Sequence, residues 1–174
     1  LPGTVGRVCP HPCEKKCHRG DLDNSIAING LKRFVADAVA SKKGQIHVLP
    51  PVKTREEKVA IIGAGPAGLT AAFHLVRLGY PATIFEALPI PGGMLAVGIP
   101  EYRLPKDVLR MEIENIQKCG VEMRLNSGIG KNGLTLDHLW QQGYKAIFIA
   151  TGAHKSLNLG IPGEEMEGVY PGIA

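Results

Sequence analysis

Between Ser25 and Lys43 the apolar positions Ile28, Leu31, Phe34, Val35, Ala38 and Val39 recur at steps of three and four. That period predicts an amphipathic helix, with Lys42 and Lys43 suiting its C-terminus and Gly44 the position beyond. Lys32, Arg33, Asp37 and Lys42 fall on the other side, which reads as a solvated face. From Lys58 the pattern changes. Val59-Ala-Ile-Ile62, Ala82-Thr-Ile-Phe85, Val121-Glu-Met-Arg-Leu125 and Tyr144-Lys-Ala-Ile-Phe-Ile149 read as strands. Helical stretches separate them: Leu69 to Leu78, a segment after Pro105 carrying Leu109, Ile113 and Ile116, and Thr135 to Gln142. Gly79, Gly120 and Gly143 close the three. Strands alternating with helices predict an α/β fold with a parallel sheet. Pro50-Pro51 and the charged run Lys53-Thr-Arg-Glu-Glu57 read as a linker. They divide a small α-helical unit, residues 1–55, from a dinucleotide-binding unit, residues 56–174.

The junction of the first strand and its helix carries the strongest chemical signal. Gly63-Ala-Gly65-Pro66-Ala67-Gly68 is a Gly-x-Gly-x-x-Gly sequence at the end of an apolar strand. Gly63 permits the tight turn, Gly65 lets backbone approach a pyrophosphate, and Gly68 lets helix lie close on strand. The helix N-terminus then offers unpaired N–H groups and its positive dipole end to phosphate. The second strand ends in Glu86, about twenty residues on, where an acid accepts bonds from a ribose hydroxyl.

Composition adds limits. The chain has 174 residues, 44% of them hydrophobic and 21% charged, an ordinary globular balance. A net charge of +4 with scattered Lys and Arg does not build a nucleic-acid surface. No apolar run reaches membrane-spanning length and no signal-peptide pattern opens the chain, so a cytoplasmic protein without a membrane span is expected. The first residue is Leu, the first Met is Met94, and Val169-Tyr-Pro-Gly-Ile-Ala174 ends without a capped element. These ends read as a piece of a longer polypeptide.

Three cysteines stand close together in Cys9-Pro-His-Pro-Cys13-Glu-Lys-Lys-Cys17-His18. Pro10 and Pro12 keep the stretch out of regular helix. A disulfide framework does not suit an odd number of cysteines without secretion signals. Zinc with His11 or His18 as a fourth ligand, iron–sulfur ligation, and plain free or buried thiols all remain open. Cys119, at a helix end, reads as a small packed residue. With no partner cysteine it also argues against a dithiol reductase.

Ala87 to Pro105 is long and mostly apolar without a period, a segment disfavoured unless it packs over something. It reads as a cofactor cover. The last strand breaks at Ala150-Thr151-Gly152, so the glycine turn, Glu86 and Thr151 all stand at C-terminal strand ends, where ligands bind in open parallel sheets.

Together the glycine turn, Gly92-Gly93-Met94-Leu95, Gly98-Ile-Pro-Glu-Tyr-Arg103-Leu-Pro105 and Ile149-Ala-Thr-Gly152 resemble the FAD-binding domain of one family. It holds the small (beta) subunit of NADPH-dependent glutamate synthase and the N-terminal half of dihydropyrimidine dehydrogenase. Gly6-Arg-Val-Cys9-Pro with Cys13, Cys17 and Ile28-Asn-Gly-Leu-Lys-Arg-Phe34 is similar to that family's iron–sulfur domain. The resemblance implies FAD with its pyrophosphate on Gly63–Gly68 and its adenosine ribose on Glu86. It implies Gly93, Met94, Leu95 and Arg103 over flavin and phosphates, Ile129 near adenine, and Ala150, Thr151 and Gly152 at a second flavin-contacting turn. Cys9, Cys13 and Cys17 would help ligate [4Fe–4S] clusters, though Lys32 stands where some relatives place a Gln or Glu ligand. It further implies that NADPH reduces the flavin from a domain not present here, and that electrons leave to a partner oxidoreductase subunit or fused domain. No catalytic acid or base follows, because the flavin does the chemistry. A docking fragment with an empty nucleotide site and an NAD-dependent dehydrogenase segment are the alternative readings. Gly92-Gly93 and Ala150-Thr-Gly152 weigh against the dehydrogenase, since one dinucleotide unit needs neither.

Overall fold

The computed structural model describes residues 1–41, 54–130 and 134–171. The expected helix end at Lys42, Lys43 and Gly44, and most of the expected linker, lie outside those residues. Helices α1 (Pro2–Val8), α2 (Pro12–Lys15) and α3 (Ile28–Ser41) form a head, with a 3-10 turn at His18–Asp21. Strand β1 (Lys58–Ile62), helix α4 (Pro66–Arg77) and strand β2 (Ala82–Phe85) follow. Then come α5 (Met94–Val97), α6 (Lys106–Lys118), β3 (Glu122–Arg124), α7 (Leu136–Gln141) and β4 (Tyr144–Ile149).

The four strands form one sheet in the order β3-β2-β1-β4, and every pairing is parallel. The chain moves outward from β1 through β2 to β3, then returns across β1 to place β4 on its other side. That reversal opens a crevice beyond the C-terminal end of β1, between the two directions of travel.

Period two along the strands sorts side chains into two layers. Val59, Ile61, Ala82 and Ile84 pack with Leu69, Ala72 and Val76 of α4 and with Leu109, Ile113 and Ile116 of α6. Ala60, Ile62 and Phe85 turn the other way onto Leu139 of α7 and Tyr144. Thr135 caps α7 by accepting a hydrogen bond from the His138 N–H at 3.1 Å. The partly buried Cys119 packs against the first layer, as its position at a helix end suggests. Strand β4 is apolar apart from Lys145, yet Phe148 is 42% and Ile149 62% exposed, because it is an edge strand with little against its outer part among the described residues.

The head also differs from the sequence reading. Pro12 does not prevent helix; it occupies the first turn of α2, where its missing N–H costs nothing. On α3 the apolar stripe faces outward: Leu31 is 56% and Phe34 69% exposed. The side read as solvated carries the packing. A Cβ at Gly6 of α1 would lie 3.0 Å from Arg33 Cα, Arg7 Nη2 meets Asp37 Oδ1 at 2.8 Å, and Asn29 Nδ2 donates to Gly6 O at 3.1 Å.

Helix α1 in turn reaches the α/β unit. Its Gly3 and Thr4 N–H groups donate to the two carboxylate oxygens of Glu112 on α6, at 2.7 and 2.8 Å.

The tightest backbone approach lies between β1 and α4. A Cβ at Gly68 would stand 2.0 Å from Gly63 O, an overlap with backbone that no rotamer change relieves. Gly68→Ala should therefore destabilise the fold by at least the ~1–3 kcal/mol usual for overpacking. The urea midpoint measures it; an unchanged midpoint would mean that helix and strand are not so close.

Candidate flavin site

A cavity of about 600 Å³ opens at the C-terminal end of β1. The glycine turn forms its floor, Glu86 one side, Ala150 to Gly152 the other, and Gly93 with Met94 the cover. The crossing of the sheet at β1 brings these distant segments together.

Each glycine of the turn has a measurable reason. Gly63 has φ of +105°, and a Cβ there would lie 2.4 Å from Ala150 O. Gly68 is fixed by the contact with Gly63 O. Gly65 is different: a Cβ there would meet no protein atom within 4 Å. The space it keeps clear belongs to the cavity, which fits a group approaching the backbone. Gly93, with φ of +54°, lies across from it, and a Cβ on Gly93 would stand 2.9 Å from Gly65 Cα. The Gly92 N–H donates to Ala64 O at 2.8 Å, fastening the cover to the turn.

Helix α4 begins at Pro66 with no acidic residue in its first turn and no side chain capping it. Its first N–H groups and positive dipole end are left for an anion.

Glu86 is buried, at 7% exposure, and its carboxylate spans the turn. Oε2 accepts from the Ala64 N–H at 2.6 Å and Oε1 from the Leu88 N–H at 2.8 Å. A carboxylate has about four acceptor positions, so lone pairs remain for ribose hydroxyls. Glu86 thus holds the turn as well as lining the cavity, a task the sequence does not show.

Of the residues expected at the flavin, Gly63, Gly65, Pro66, Ala67, Glu86, Gly93, Met94, Ile129, Ala150, Thr151 and Gly152 line this cavity. Gly68 is buried beneath it. Leu95 turns away into the core at 9% exposure, and Arg103 is exposed and absent from the cavity wall. Phe85, Leu88, Gly128 and His154 also line it and carry no sequence signal of their own.

The cysteine segment is less closed. Cys9, Cys13 and Cys17 are free thiols, and among the described residues no three His, Cys, Asp or Glu side chains gather to hold a metal ion. The sulfur chemistry does suit a cluster. The His11 N–H lies 3.4 Å from Cys9 Sγ, and the backbone at Ile26, Arg19 and Gly20 holds the Cys17 thiol below its ordinary pKa. Such N–H groups tune cluster thiolates, but four ligands are needed, and the described residues do not assemble them.

Residues 57–172 match the pyridine nucleotide-disulphide oxidoreductase family. The chain belongs to that family. Residues 1–44 match a second family, dihydropyrimidine dehydrogenase domain II, 4Fe-4S cluster. Similar curated proteins include the beta subunit of NADP(+)-dependent formate dehydrogenase from Moorella thermoacetica, 49% identical over 99% of this chain and 27% of that protein. The beta subunit of NADPH-Fe(3+) oxidoreductase from Geobacter sulfurreducens is 45% identical over 95% of this chain and 24% of its own. The small chain of Escherichia coli glutamate synthase [NADPH] is 37% identical over 99% and 36%. The chain thus spans about a quarter of the first two relatives. The solved structure of Mycobacterium tuberculosis FprA in complex with NADPH superposes with a TM-score of 0.58. It is 25% identical and covers 66% of this chain and 27% of that one. As in other members of this oxidoreductase family, FAD and NADP are the cofactors associated with the fold, and the head adds the 4Fe-4S domain.

Gly65→Val should abolish FAD binding while leaving the urea midpoint near that of the wild type, since a Cβ there meets no protein atom within 4 Å and the position lines the cavity. Fluorescence titration with FAD checks it; retained affinity would contradict the assignment. Glu86→Ala should weaken FAD binding and also lower stability, by about 1–3 kcal/mol, because two backbone donors lose a buried acceptor.

In iron-free protein, Cys13, which is exposed, should react with a thiol reagent well before Cys119, whose thiol burial pushes up. Mass-mapped labelling over time gives the order; Cys119 labelled first would contradict it.

Proposed function

We propose that this chain is the FAD-binding segment of an NADPH-dependent oxidoreductase, with its cysteine head contributing to iron–sulfur ligation and facing a partner subunit. The observation that carries it is the clear space at Gly65. It lies in a cavity at the sheet's reversal point, under the Gly93 backbone and beside a buried acid. Gly65 has φ of −73°, which any residue adopts, so its backbone conformation does not by itself call for glycine there.

In this reading the Ala67 and Gly68 N–H groups at the start of α4, which follow Pro66 and have no partner within the helix, donate to the pyrophosphate, and Glu86 accepts from the adenosine ribose. Gly93 and Met94 exclude water from above, and Ala150 to Gly152 close the side at β4. When bound, FAD supplies two-electron hydride acceptance and one-electron donation, so the protein needs no acid or base of its own. Cys9, Cys13 and Cys17 supply three thiolates; further ligands come from outside the described residues. We place the division between head and flavin unit near residue 55. Electrons that leave the assembly pass to a partner subunit, since the similar proteins named above are themselves subunits or chains of larger oxidoreductases.

Among the described residues one glycine-rich βα turn faces a dinucleotide-sized cavity, and the reading commits it to FAD. Hydride transfer requires the nicotinamide held about 3–3.5 Å from the flavin in an aligned pose. The FAD-loaded chain, mixed anaerobically with NADPH, should therefore bleach slowly or not at all while dithionite bleaches it fully. Rapid stoichiometric bleaching by NADPH would place a nicotinamide site within these residues and overturn the division of labour.

A further inference from the structure

Helix α6 is apolar on the side it buries, through Leu109, Ile113 and Ile116, with one exception. Glu112 is buried along with them, at 8% exposure. Burying a carboxylate is costly unless donors meet it, and here the donors come from the head. Pro2 has no N–H, the Val5 N–H bonds Leu1 O, and the Gly3 and Thr4 N–H groups bond Glu112 Oε1 and Oε2. No side chain caps α1 from within its own segment. The free donors at its start are thus satisfied by a residue more than one hundred positions away. Packing adds to this: a Cβ at Gly3 would lie 3.2 Å from Val108 and 3.3 Å from Glu112 Oε1, so both elements are in contact.

The two ends of this contact lead to the two functional regions. Helix α1 runs directly into Cys9. Helix α6 begins at Lys106, whose ammonium donates to Leu95 O at 3.0 Å and Ile99 O at 2.5 Å, holding the segment that carries Gly93 and Met94 over the cavity. Glu112 stands less than two helical turns further on.

We propose that Glu112 is a positioning residue that fixes the cysteine segment relative to the flavin cavity. Electron transfer between bound groups depends steeply on their separation, so a carboxylate that sets it acts on function without touching a cofactor. The use of the contact rests on the flavin reading above; the contact itself does not.

Residual dipolar couplings on the full chain, with and without FAD, test it. In the wild type the couplings of α1, α3 and the sheet should fit one alignment tensor. Glu112→Leu suits the apolar surroundings of α6, so FAD affinity and the protection of the sheet should persist. The head should then need a separate tensor, and the Gly3 and Thr4 amides should exchange about tenfold faster or more, as expected when bonds to a charged acceptor are lost. Glu112→Gln keeps one neutral acceptor and should fall between. A single tensor and unchanged exchange in Glu112→Leu would overturn the proposal. So would parallel loss of sheet protection in both variants, which would make Glu112 a general stability residue. Wild-type FAD titration reports separately on the flavin reading: a chain with one tensor that binds no FAD would sink that reading and leave the clamp.

Discussion

A methyl group at position 68 would stand 2.0 Å from the Gly63 carbonyl oxygen, and one at position 93 would stand 2.9 Å from Gly65 Cα. Backbone meets backbone at both places, and the cavity exists because it can. The first approach brings the start of α4 down onto the end of β1, so its N–H groups face the crevice. The second lays the apolar segment after Pro91 across the turn. With side chains at either position the helix would lift, the cover would open, and Glu86 would lose the Ala64 N–H that it holds.

How far the sequence revealed this depended on whether the responsible interaction was local. The glycine turn, β1, β2 and α4 were legible because strand period, turn residues and helix follow within a short stretch. Glu86 was legible as an acid at a strand end. Its bonds to Ala64 and Leu88 were not, since they come from the path of the loop. Leu95 sits next to Met94, but neighbouring helical residues point about 100° apart, so one lines the cavity and the other joins the core. Arg103 lies beyond the turn that closes the cover and ends in solvent.

The head shows the opposite case. Pro2-Gly-Thr-Val-Gly6 is poor helix material by propensity, and α1 forms through contacts made with Glu112, Arg33 and Asp37. In α3 the apolar period marked a helix correctly but did not tell which side would be covered. Periodicity groups residues on a face; what packs against that face is a fact about the rest of the fold. Here small and polar residues face α1, where Gly6 allows close approach, and the apolar stripe is left outward.

A crystal structure of the chain grown with FAD tests the central claim most directly. The account predicts the pyrophosphate against the N–H groups at the start of α4, over Gly65, with the adenosine ribose at Glu86 and the flavin between Met94 and Thr151. Density for the dinucleotide elsewhere would contradict it, for instance in the apolar groove of about 470 Å³ bordered by α1, α3, α4 and α6. So would a cavity at Gly65 that stays without FAD at saturating concentration.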